Sequence, residues 1–163
     1  MQLRRLFQGL ALAACLAFPA SAQEVDRIGA HAGWGVFEDG VGADRLCWVA
    51  ASAELGALPL GGDEIPPAKI LVLFTSGKDE VSLELRGGLS GAKAGEFSIG
   101  DTVFPLFFQD GWGWLSGRNK EQAFKAAMQS HKTAYIRIGE TGYSLSLVGF
   151  SPALRDAVDA CTG

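Results

Sequence analysis

Apolar and polar positions alternate with a period of two through most of this chain, and that rhythm predicts strands. Residues 34–37 (WGVF) form a short candidate strand, and the Gly- and Asp-rich stretch 38–44 reads as a turn. In residues 46–52, Leu46, Trp48 and Ala50 share one face while Cys47, Val49 and Ala51 share the other. Both faces are apolar, which predicts a central strand covered on both sides. Residues 54–68 read as a loop, because Gly61-Gly62 and Pro66-Pro67 break either regular structure. The run KILVLFT at 69–75 predicts a buried strand, and a turn at 76–79 leads to a half-exposed hairpin partner at 81–86. Glycines 87, 88, 91 and 95 mark a flexible connection. Residues 96–99 and 102–108 follow as a hairpin around Gly100-Asp101. Pro105 lacks a ladder donor and so places its strand at an edge or a bulge. Residues 112–114 make another short strand, with Trp112 and Trp114 on one face.

Two stretches break the rhythm with helical spacing. In the first, Asn119 is the expected N-cap and Gln122 occupies the capping-box position. Ala123, Phe124, Ala127, Met128 and His131 make its inner stripe; Lys120, Glu121, Lys125 and Gln129 face water. A hairpin then turns over 139–142, with Ala134, Ile136 and Ile138 inward on one strand and Tyr143, Leu145 and Leu147 on the other. Ser151 and Pro152 are the expected N-cap and first residue of the last helix. Leu154, Ala157, Val158 and Cys161 share a stripe, which aims Cys161 at the sheet. The expected class is mainly β with helices (α+β): an antiparallel sandwich or partial barrel with two packed helices, one near the C-terminus.

The first 22 residues stand outside this pattern. Arg4 and Arg5 precede a run over 6–18 that is apolar apart from Gln8 and Gly9, and Pro19-Ala-Ser-Ala22 closes it. That is the form of a secretory signal peptide cut between Ala22 and Gln23, leaving one domain over 23–163 in the periplasm or outside the cell. The alternative is a lipid anchor on Cys15, within Leu12-Ala-Ala-Cys15. No later stretch is long and apolar enough to predict a transmembrane segment. Removing the leader takes away Arg4, Arg5 and no acid, so the net charge moves from −4 to −6. No basic cluster remains, which argues against a nucleic-acid partner. Of the 3 Cys, Cys47 and Cys161 remain, and in an exported domain they read as one disulfide; the alternative is two free thiols.

Candidate chemistry is sparse. His31 and His131 are the only 2 histidines, and no metal-ligand spacing or cofactor motif accompanies them. His131 suits a helix C-terminus, and His31 lies in a small-residue leader with no visible partner. No G-x-S-x-G occurs, and the acidic pairs Asp63-Glu64 and Asp79-Glu80 read as solvated turns. No cofactor and no enzymatic activity are expected. The 4 tryptophans, Trp34, Trp48, Trp112 and Trp114, read first as core. The alternative gives Trp112 and Trp114 a ligand-stacking role toward a glycan or peptide.

Several segments together resemble the invasion-associated locus B family of exported alphaproteobacterial proteins. They are Trp34-Gly-Val-Phe37, Cys47-Trp-Val-Ala-Ala-Ser52, Thr102-Val-Phe-Pro-Leu-Phe-Phe108, Gly111-Trp-Gly-Trp114 and Ala127-Met128. The closing stretch Tyr143-Ser-Leu-Ser-Leu-Val-Gly-Phe-Ser-Pro-Ala-Leu154, followed by Cys161, carries the most. The resemblance implies an exported, disulfide-bonded envelope domain with no catalytic chemistry, linked to host or envelope association through an unknown protein or envelope component.

Overall fold

Alternation sends successive side chains to opposite faces of a strand, so a sheet built from such segments has one face to fill. The structure, a computed structural model describing residues 25–55, 69–75, 78–86, 91–117 and 120–162, shows how it is filled. The expected signal peptide with its Ala22–Gln23 junction, Cys15, Asp63-Glu64 and Asn119 lie outside the described residues.

Among the described residues eleven strands form one antiparallel sheet. They are β1 (Asp26–His31), β2 (Trp34–Asp39), β3 (Leu46–Ser52), β4 (Glu54–Leu55), β5 (Lys69–Thr75), β6 (Lys78–Glu84), β7 (Ala94–Ile99), β8 (Thr102–Gln109), β9 (Trp112–Leu115), β10 (Thr133–Ile138) and β11 (Thr141–Ser146). Their order is β1-β2-β3-β5-β6-β9-β8-β7-β10-β11-β4. The sheet curls into a half-barrel with two helices, α1 (Glu121–Ser130) and α2 (Phe150–Thr162). The expected mainly-β partial barrel with two helices is the observed architecture.

Both helices pack on the inner face. Phe124 of α1 meets Phe97 and Phe104 edge-on, with ring centroids 4.7 and 5.1 Å apart. Phe150 of α2 meets Trp34 edge-on at 5.0 Å. Trp34 is fully buried, and its Nε1 donates to the Ser146 carbonyl at 2.9 Å. One indole therefore joins β2 to β11 from opposite ends of the strand order and holds the curl. Cys47 of β3 is bonded to Cys161 of α2, with Cα atoms 5.9 Å apart, and Arg45 Nη1 donates to the Ala160 carbonyl at 2.8 Å. The last helix is thus fixed to the middle of the first half of the sheet.

Several local expectations change. Cys47, Val49 and Ala51 are buried as expected, but Leu46 is exposed and Trp48 and Ala50 only half-buried. Among the described residues nothing covers the second face of β3, because both helices lie on the other side. β1 was not anticipated: DRIGAH has no apolar alternation, and it is a strand because it pairs with β2 across the Ala32-Gly33 turn. β7 starts two residues early, at Ala94, so Gly95 belongs to the ladder. A Cβ there would come 2.7 Å from the Arg137 carbonyl oxygen, which only glycine avoids. Pro105 lies in a strand flanked on both sides, by β7 and β9. Its carbonyl accepts from Ser116 N at 2.7 Å, just past the end of β9, so the missing N–H falls where that ladder stops.

The helix ends move too. α1 begins at Glu121 with Lys120 at the cap position and no side-chain cap; Ala123 and His131 face solvent while Phe124 and Met128 are buried. α2 begins at Phe150, one residue before the expected cap Ser151. Phe150 N bonds the Leu147 carbonyl and Ala153 N the Gly149 carbonyl, so a backbone turn at Gly149 starts the helix. Val158 and Cys161 are half-buried rather than central to the stripe.

Two outcomes follow for stability. The disulfide closes a sequence separation of 114 residues, worth about 4–5 kcal/mol in the chain-entropy treatment. The Cys47→Ala/Cys161→Ala double variant should lose an amount on that order in chemical denaturation, and a loss below about 1 kcal/mol contradicts this. Tyr143 points inward, 1% exposed, and its hydroxyl has no hydrogen-bond partner among the described residues. Burial raises its pKa above 10.0. The unfolded chain then releases this proton first, so the stability linked to it is complete below pH 10 and falls as pH rises beyond. Tyr143→Phe should remove that alkaline loss and leave neutral-pH stability unchanged or raised by about 1 kcal/mol, read from urea melts at two pH values.

Candidate functional site

With the inner face filled by helices, the outer face carries the remaining unusual chemistry. Its residues come from the outward positions of β2, β3, β6, β8 and β9. Phe37 of β2 lies opposite Trp48 of β3, and their rings stack at 5.7 Å. Trp114 of β9 lies between Ser82 of β6 and Phe107 of β8, stacked on Phe107 at 5.5 Å. Trp112, two residues away on the same side, is opposite Glu84.

Between these strands is a mostly apolar groove of about 350 Å³, lined by Asp39, Leu46, Trp48, Glu80, Ser82, Trp112 and Trp114. The three indoles are half-buried and Leu46 is exposed. Trp114 Nε1 donates to Glu80 Oε1 at 3.3 Å, which orients both side chains at the groove wall. Asp39 Oδ1 is buried yet has no hydrogen-bond partner among the described residues. A second depression of about 550 Å³ lies beyond Trp48, where Arg27, Lys69 and Arg86 contribute positive charge beside Glu84. Arg86 is engaged with Glu84 at 2.8 Å. An apolar surface of this kind, on a sheet face that no described element covers, suits ligand contact better than solvation.

The two cysteines singled out from sequence are brought together. Trp112 and Trp114 are brought to the groove, together with Trp48, and not into the core. The core expectation for all four tryptophans holds for Trp34 alone. Glu80 belongs to a strand wall, because β6 begins at Lys78 and not at 81. His31 does have a partner: its Nε2 lies 2.6 Å from Asp156 Oδ2, tying β1 to α2 at a half-exposed position. His131 closes the end of α1, with Nδ1 3.0 Å from the Ala127 carbonyl. Asp39, Leu46 and Phe107 were missed. Extending the alternation of β2 through residue 39 would have placed Asp39 on the Phe37 side; no sequence signal joins it to β9.

Among the described residues no three His, Cys, Asp or Glu side chains are grouped to hold a metal. No described helix is long and apolar enough to cross a membrane. A scan against protein-family models and searches of curated proteins and solved structures found no match to this chain.

The division between core and outer-face tryptophans has a direct energetic consequence. Trp34→Ala should cost about 3–5 kcal/mol through cavity formation and the lost bond to Ser146. Trp114→Ala should cost about 1–2 kcal/mol, because it loses a half-exposed stack. Comparable losses for the two variants in urea melts would contradict the division.

Proposed function

We propose that this chain is an exported, non-enzymatic binding domain of the cell envelope that engages its ligand in the outer groove. The observation that carries this reading is the set of three half-buried tryptophans around one groove, on a sheet whose other face is already filled. Aromatic faces spread over these strands give contact area at low entropic cost, and the Asp39 and Glu80 carboxylates of the lining supply orienting groups. The disulfide supports an oxidising compartment, in keeping with the leader read from sequence. The resemblance to the invasion-associated locus B family supports association with an envelope or host component. A nucleic acid is a poor partner for a chain of net charge −4 with an acidic groove.

The groove volume is at the small end of the range for small-molecule sites, which favours a glycan or peptide segment over a flat protein contact. A larger partner would then be held through such a segment. Purified protein with its disulfide intact should show saturable binding to members of an immobilised glycan and peptide set or to envelope extract. Trp112→Ala and Trp114→Ala should each weaken that binding at least tenfold while the protein stays folded, with its thermal midpoint lowered by no more than about 10 °C. Binding that survives both substitutions would refute the proposal, as would the absence of saturable binding to the set, to envelope extract and to small organic cations.

A further inference from the structure

Among the described side chains the charged groups of the groove are of one sign: Asp39 and Glu80 line it together with Trp48, Trp112 and Trp114, and no described Lys, Arg or His does. The basic residues Arg27, Lys69 and Arg86 line the neighbouring depression beyond Trp48, so the negative character is local to the tryptophan groove. One carboxylate, that of Asp39, is half-buried in this lining, so its charge is only partly solvated. The other carboxylate is tethered to the Trp114 indole N–H, which fixes its charge beside the rings. Aromatic faces carry the negative part of the ring quadrupole, so three indoles and two carboxylates favour the same kind of guest.

We infer that the groove recognises a small soluble cation bearing a quaternary ammonium group. This rests on the binding role proposed above and names the ligand class for that same groove. A quaternary ammonium fits better than a primary one because the walls are mostly apolar. It brings positive charge with no N–H donors, and so leaves none unpaired against the rings. A neutral sugar would use the ring faces but would leave both carboxylates uncompensated by charge. The volume of about 350 Å³ suits a head group of the size of choline.

The test is a titration of the disulfide-bonded protein followed by ¹H–¹⁵N signals of the indole N–H groups. Choline and tetramethylammonium are compared with 3,3-dimethylbutan-1-ol, a neutral molecule of nearly the same shape as choline. Choline should shift the signals of Trp48, Trp112 and Trp114 and leave Trp34 in place. It should bind at least tenfold more tightly than the neutral analogue and weaken as salt is raised. Asp39→Asn and Glu80→Gln should each reduce choline affinity at least fivefold, with folding of each variant checked by its thermal melt. Equal binding of choline and the neutral analogue would overturn the cation assignment and leave the binding role standing. A glycan or peptide that perturbs the outer indoles while choline does not would do the same. If no cation, glycan or peptide perturbs them, the binding role itself is refuted.

Discussion

The bond between Cys47 and Cys161 holds α2 against the inner face of β3, and the rest of the arrangement depends on that placement. With the helix there, Phe150 can meet Trp34, and Trp34 can reach across to the Ser146 carbonyl and keep the sheet curled. With α1 beside it, Phe124 fills the space under Phe97 and Phe104. The covalent link acts mainly on the unfolded chain, whose ends it keeps from separating. The packing it accompanies is what distinguishes the native state. Because all of this helical cover lies on one side, among the described residues the other side of the sheet has none.

That asymmetry explains why apolar residues occur on both faces of β3. One set is used by the core. The other set, continued through Phe37, Trp112, Trp114 and Phe107, forms an outer aromatic surface around a groove with two carboxylates. Stability alone gives no reason for half-exposed indoles on strands that no described element covers, since polar residues there would be better solvated. A binding role supplies the reason. The local separation of acidic and basic residues on either side of Trp48 gives the surface direction as well as area.

Much of the fold was legible because a strand with one buried face writes a period of two into its sequence. The inward positions of residues 134–138 and 143–147 follow directly from it. β1 was not legible, since DRIGAH is a strand only through its hydrogen bonds to β2. The start of α2 was displaced because a backbone turn at Gly149, rather than the Ser151 side chain, sets it. The groove was half legible. Trp112 and Trp114 on one face could be read from their spacing, but an amphipathic ring suits core and surface equally. What brings them to Trp48 and Glu80 is the pairing of β6 with β9, a contact between strands that are not consecutive. Such non-local register carries no local sequence signal, and Asp39 and Glu80 look like any acids near a turn until it is known.

The central claim is that this chain buries one tryptophan to hold its shape and offers three outward. A soluble paramagnetic relaxation agent, with indole N–H relaxation measured in the unliganded protein, tests it most directly. The account predicts strong enhancement at Trp48, Trp112 and Trp114 and almost none at Trp34. Protection of the three outer indoles to the level of Trp34, or strong enhancement at Trp34 itself, would contradict it.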